Sequence, residues 1–256
     1  MGGKGFKLTY RLKEVQEFQR QTYNRSFQTG PFGGAVAELS CQTRAAFALR
    51  FARPFFRVLD MGCGDGTITK KVAEHVREIT ALDISEKAIE IALRFNMYPK
   101  IQYLNIPVED YQPDKPFNIV LMFEVVEHLY NPAAVFKKVY SLLDKEGIVI
   151  ISTPNFMRLT RRIKLAPGIR HIRKTLGKDS WRINIDHIKE YTHTELKSLL
   201  CQCGFKIIAR AGAIIWTDTI GGNLLRNCMS LQRLNFNIGS LFPQIAGAMF
   251  IAARKI

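Results

Sequence analysis

From Phe56 onward the apolar positions fall into short continuous runs, separated by stretches where apolar residues recur every three or four positions. RVLDMG (57–62), EITALDIS (78–85), IQYLNIP (101–107), FNIVLMFEVV (117–126) and GIVIISTPN (147–155) have the length and β-branched content of strands. Between them TITKKVAEHV (67–76), EKAIEIALRFN (86–96) and PAAVFKKVYSLLDKEG (132–147) read as helices, the last expected to stop at Gly147. Strands that are apolar on both faces, with helices between them, predict a parallel sheet covered on both sides. THTELKSLLCQCGF (192–205) predicts a further helix, N-capped by Thr192 or Thr194 and ended by Gly204. FKIIARAG (205–212) and AGAMFIAARKI (246–256) predict two late strands, expected as a closing hairpin.

Two regions stand outside this rhythm. Residues 1–52 carry helical but no strand signals and predict an N-terminal helical cap on a domain spanning 53–256. Residues 156–185 interrupt the alternation directly after a strand end; within 156–182 there are nine Lys or Arg against one Asp. Leu159, Ile163 and Leu165, then Ile169, Ile172 and Leu176, alternate with these cations on either side of Pro167-Gly168, a basic amphipathic pattern. Three uses fit it: a lid packed on the domain, a contact with an anionic membrane surface, or a phosphate-binding contact with RNA. Only Phe156 and Trp181 offer rings for base stacking, which disfavours RNA.

Composition narrows the picture further. The 256 residues, 47% hydrophobic, suffice for one packed domain with an accessory cap. No apolar run is long enough to span a bilayer, the first residues lack a secretory apolar block, and Phe6 stands where a myristoylation signal wants Ser or Thr. Five cysteines without framework spacing fit reduced thiols, with Cys201 and Cys203 as helix-end residues, so a cytoplasmic protein is expected, peripheral to a membrane if 156–182 binds one. The formal net charge of +15 predicts an anionic partner: nucleic acid, an acidic membrane or a phosphorylated substrate.

The chemistry concentrates in LDMGCGDG (59–66). In an open α/β sheet ligands lie beyond the carboxyl ends of the strands, where this segment falls. Its glycines allow a tight turn and close backbone approach, while Asp60 and Asp65 add carboxylates. The pattern D-x-G-x-G-x-G lacks the third glycine of a dinucleotide fingerprint at the expected spacing, and its acids would repel a pyrophosphate but attract a cationic amino-acid group.

On these residues the chain resembles the class I S-adenosylmethionine (SAM)-dependent methyltransferases. VLDMGCGDG is similar to their first motif. Asp83 in ITALDIS matches the acid that grips the ribose hydroxyls, and Val108-Glu109 in IPVEDY matches the border of the adenine. FEVVEHL and LDKEGIVIISTPN match the fourth- and fifth-strand regions. The resemblance implies a Rossmann-like, doubly wound α/β sheet of about seven strands. It also implies cofactor contacts from Asp60, Gly62, Cys63, Gly64, Asp65 and Gly66, from Asp83 and Ile84, and from Val108, Glu109 and Phe123. By position, Tyr23 and Arg25 are candidates to reach the carboxylate of SAM.

FEVVEHL raises the question of a metal. On a helical turn Glu124, Glu127 and His128, at i, i+3 and i+4, would share one face, and NIDHIKEYT adds Asp186 and His187 downstream. This E-x-x-E-H segment resembles the O-methyltransferases of ubiquinone biosynthesis. It is similar too to the enzymes that methylate the 3′-terminal ribose of small RNAs. The second resemblance implies a divalent metal such as Mg on Glu124, Glu127, His128 and His187; without a metal, His128, Glu127 or His187 would form the catalytic set, with a histidine as general base. The expected function is methyl transfer from SAM to a small-molecule or lipid-linked hydroxyl. An RNA terminal ribose and a non-catalytic SAM-fold binding subunit are the alternatives.

Overall fold

The computed structural model describes residues 3–28, 35–159, 162, 188–214 and 229–256. Among these residues seven strands form one sheet: β1 (Arg57–Met61), β2 (Glu78–Asp83), β3 (Ile101–Asn105), β4 (Phe117–Phe123), β5 (Leu143–Pro154), β6 (Phe205–Ala213) and β7 (Ala248–Lys255). Their spatial order is β3-β2-β1-β4-β5-β7-β6. The first five pair in parallel, and β7 runs antiparallel to both β5 and β6. The strand order reverses between β1 and β4, which opens a ligand-binding crevice at their carboxyl ends.

The helices are α1 (Gly3–Ser26), α2 (Ala35–Leu49), α3 (Thr67–Ala73), α4 (Glu86–Phe95), α5 (Pro132–Leu142), α6 (His193–Gln202) and α7 (Met229–Leu241). Alternate strand residues feed two cores, as a doubly covered sheet requires. Leu59, Val120, Met122 and Val149 pack with Phe136 of α5 and Leu196 of α6. Val58, Ile119, Leu121 and Ile150 pack with Phe47 of α2, Val72 of α3 and Phe236 of α7. Asp60 lies between Leu59 and Met61 on β1, so alternation turns it toward the α3 side.

Local signals explain most boundaries. Thr192 caps α6 in a full capping box with Glu195, and Gly204, at φ 89°, ends it. Two expectations are corrected. The helix from Pro132 stops at Leu142 rather than Gly147, because Leu143 already pairs with Phe117 across β4 and β5. The last two strands pair antiparallel as expected, yet α7 lies between them in the chain, so they do not form a hairpin. Before β1 the described residues form α1 and α2, and α1 is tied to the domain where the Asn24 carboxamide oxygen accepts from Ser85 Oγ (2.8 Å), itself the N-cap of α4.

Candidate active site

The turn after β1 is built from backbone. The amides of Gly62 and Cys63 both donate to the Leu82 carbonyl (2.8 and 2.9 Å), which brings the ends of β1 and β2 together. Gly62, Gly64 and Gly66 all have positive φ, at 83°, 55° and 76°. At Gly62 a Cβ would lie 2.5 Å from Val125 Cγ2, so glycine is needed there for space as well as for conformation. Asp83 closes the turn: its two carboxylate oxygens accept from Gly64 N (2.9 Å) and Ser85 N (2.8 Å). Burial pushes the Asp83 carboxyl up from its usual range, against the pull of those amides.

Beyond this turn lies a cavity of about 490 Å³. Gly62, Cys63, Gly64, Asp65, Asp83 and Ile84 line it from the turn and the end of β2. Val108 and Glu109, and Phe123, Glu124, Val125 and His128 from the end of β4 onward, line it as well. Gln19 and Tyr23 of α1, with Phe27 just beyond it, and Ser40, Cys41 and Arg44 of α2 form the remaining side. The two N-terminal helices therefore complete the chamber.

Most residues expected at the cofactor reach this cavity, but two of them do other work. Asp60 is buried, accepts from Thr69 Oγ1 (2.7 Å), and is pushed up to about 7, chiefly by desolvation. It ties β1 to α3 and does not line the cavity. Gly66 is the N-cap of α3, and a Cβ there would collide with the Tyr103 hydroxyl. Tyr23 lines the cavity, whereas Arg25 is exposed and outside its wall.

The E-x-x-E-H segment departs from the helical geometry expected of it. Glu124 sits at φ 55°, in the left-handed region, and only Val126–His128 form a short 3₁₀ turn. The i, i+3, i+4 spacing therefore does not align the three side chains. Glu124 pairs with Arg44 (Oε1 to Nη2, 3.0 Å) and accepts from Ser152 Oγ (2.7 Å). Glu127 is fully buried, accepts from Thr153 Oγ1 (2.8 Å), and presents its other oxygen 3.9 Å from His128 Nε2. Desolvation, then the nearby charge of Glu124, pushes the Glu127 carboxyl well above its usual range. His128 faces the cavity, its ring edge-on to Tyr23 at 5.5 Å and its carbonyl accepting from Gln19 Nε2 (2.5 Å). Among the described residues no group of three His, Cys, Asp or Glu side chains is placed to hold a metal ion. Asp186 and His187 lie outside the described residues, as does most of the basic segment.

Arg44 is the main residue that the sequence did not disclose. It also donates Nε to Ser152 Oγ (3.0 Å) and an Nη to Ser40 Oγ, fixing its guanidinium between α2 and the end of β5. The spacing of Ser40 and Arg44, four apart on one helix face, is the sole local sign of that role.

Comparison with known proteins accords with this geometry. The methyltransferase-domain family is matched over residues 32–210. A probable SAM-dependent methyltransferase of Mycobacterium tuberculosis is 31% identical over 156 residues, 60% of this chain and 50% of that protein. A ubiquinone biosynthesis O-methyltransferase of Bordetella pertussis is 34% identical over 103 residues, 39% of this chain and 43% of that one. The chain thus spans about half the length of these curated relatives. Magnesium protoporphyrin IX methyltransferase of Synechocystis, solved with bound SAM, superposes with a TM-score of 0.60 at 14% identity, covering 94% of this chain and 97% of that one. The N-methyltransferase NodS of Bradyrhizobium japonicum, solved with S-adenosylhomocysteine, gives 0.57 at 12% identity, covering 93% and 98%. At such identities the superpositions speak to the fold. With the family match over most of its length and the glycine turn and Asp83 in place, the chain belongs to the methyltransferase-domain family of class I SAM-dependent methyltransferases.

Proposed function

We propose that this protein transfers the methyl group of SAM to a hydroxyl oxygen on a small-molecule or lipid-linked acceptor. The observation that carries this reading is one cavity that the glycine turn, Asp83 and His128 line together. The residues present fit SAM. Asp83 offers a carboxylate fixed by two backbone amides, suited to a diol. The positive φ of Gly62 and Gly64 shapes the turn that lines the cavity, and Arg44 supplies a fixed cation for a carboxylate. Val108 and Phe123 provide apolar walls for a flat base. When bound, SAM supplies a methyl carbon made electrophilic by its sulfonium.

The chain's own part is orientation and proton removal. His128 takes the proton of the acceptor hydroxyl. The Gln19 bond to its carbonyl and the Tyr23 ring against its edge hold it toward the cavity. Behind it, the buried Glu127 carboxyl stands 3.9 Å away, and an imidazolium there would favour ionisation of that carboxyl. Glu127 is thus a positioning residue, kept in place by Thr153. Oxygen as the acceptor atom is supported by the E-x-x-E-H segment and by the names of relatives such as the Bordetella enzyme.

The test is His128→Gln. Calorimetric affinity for SAM should be unchanged, while kcat with a catechol or other hydroxyl acceptor falls about 10²- to 10⁴-fold. An unchanged kcat would remove His128 from the role of base.

A further inference from the structure

The C-terminal part of α7 presents an apolar stripe to the outside. Leu234, Leu241 and Phe242 are 54, 73 and 55% exposed, and Ile238 is half-buried between them. Their spacing, i, i+4, i+7 and i+8, places them on one helix face. The opposite side of the helix is firmly anchored. Asn235 and Phe236 are buried, and Gly239 comes so near Ala213 and Ile214 at the end of β6 that a Cβ would clash with their backbone. An anchored helix that still exposes three large apolar side chains carries a surface patch in need of an explanation.

Position and charge supply one. β6 runs parallel to β5, so the end of α7 and the residues after it lie at the carboxyl edge of the sheet, the edge where the cavity opens. There the first residues of the basic segment pack against them. Leu159 N donates to Ile245 O (2.8 Å), and Arg162 gives Nε to Met157 O (2.8 Å) and an Nη to Gln244 O (3.4 Å). Both acceptors are uncharged carbonyls, and Arg162 is exposed, bonded two residues beyond Phe242. Arg233, next to Leu234, is exposed as well. The sequence continues from Arg162 into the remaining cations of 156–182. Among the described residues no helix is long and apolar enough to cross a membrane. Apolar prongs flanked by Arg162 and Arg233 suit shallow insertion among acidic headgroups.

We propose that Leu234, Leu241 and Phe242, with Arg162 and Arg233, form the face by which this protein sits on an anionic lipid bilayer. Seated this way, the carboxyl edge of the sheet, and with it the cavity mouth, turns toward the membrane. A lipid-linked acceptor would then reach the cavity without leaving the bilayer. The surface does not depend on the identity of the acceptor, because lipid binding is measurable without methyl transfer.

The test uses the full chain and vesicles of phosphatidylcholine alone or mixed with phosphatidylserine, with co-sedimentation as the readout. The wild type should partition onto mixed vesicles and hardly onto neutral ones, retaining a residue of binding at high salt. The Leu241→Ser/Phe242→Ser double variant should lose about tenfold or more of that partition, two large apolar groups being withdrawn. Its thermal melting and its methyl transfer to a water-soluble acceptor should match the wild type. Transfer lost with vesicle binding intact would count against the proposed reaction and leave this surface standing. Equal partition of wild type and double variant would overturn the proposal. So would a solution dimer that the double variant dissolves, since the stripe would then be covered by a second copy. RNA that displaces the vesicles competitively with a steep salt dependence would overturn it in favour of nucleic acid.

Discussion

Replacing Asp60 by asparagine separates two carboxylates that the sequence presents as equivalents. Asp60 lies on β1 one residue before its end, buried, with Thr69 Oγ1 as its hydrogen-bond donor (2.7 Å). Desolvation raises its folded pKa to about 7 from an unfolded value of 3.8. A raised carboxyl pKa means that the folded state holds the proton more tightly, so stability is intact below pH 3.8 and declines as pH rises toward 7. The full penalty is about three pH units at 1.4 kcal/mol each, roughly 4 kcal/mol, as an upper bound. At pH 5 only about a third of it has accrued, so between pH 5 and pH 8 the wild type should lose about 3 kcal/mol through this group alone. The carboxamide of the Asp60→Asn variant keeps an acceptor for Thr69 and carries no charge. In urea unfolding, this variant should therefore gain on the wild type by about 3 kcal/mol as the buffer is moved from pH 5 to pH 8. It should also bind SAM within a few-fold of wild type. A gap between variant and wild type that does not change with pH would show that Asp60 is not a buried proton store. A large loss of SAM affinity would return it to the binding site.

Asp83→Ala removes the acceptor of the Gly64 and Ser85 amides and the carboxylate proposed for the ribose diol; calorimetry should show SAM affinity lowered at least tenfold. Gly66→Ala forces a Cβ into the Tyr103 hydroxyl at a left-handed position and should cost about 1–3 kcal/mol in chemical denaturation. Tyr103→Phe added to it should recover part of that loss, because the nearest colliding atom is gone. Arg44→Met leaves the Glu124 carboxylate without its guanidinium, and should weaken SAM binding and lower the unfolding free energy in urea by about 1–3 kcal/mol.

Much of the architecture was legible because doubly covered strands are apolar on both faces, and β1, β2, β4 and β5 read as such runs. The glycine turn and Asp83 were legible for a similar reason: positive φ and a buried acid at a strand end leave few residue choices. What escaped was decided by distant partners. LDKEG continues a helical pattern locally, and the pairing of Leu143 with Phe117 on β4 overrides it. The partners of Arg44, Ser152 and Glu124, lie far along the chain, beyond the reach of any local period. Glu124 adopts φ 55°, which dissolved the shared face inferred from spacing alone. Strand alternation by itself turns Asp60 toward α3 and Thr69, so that part of its placement is readable from the sequence.

The central claim, methyl transfer from SAM to oxygen in the cavity between Asp83 and His128, is tested most directly with SAM carrying a carbon-13 methyl group. The protein is incubated with hydroxyl acceptors that also bear an amine, and the product methyl is identified by its carbon resonance. The account predicts a methoxy signal, absent with Asp83→Ala at limiting SAM and strongly reduced with His128→Gln. A methyl found on nitrogen or carbon, or a methoxy signal untouched by both substitutions, would contradict it.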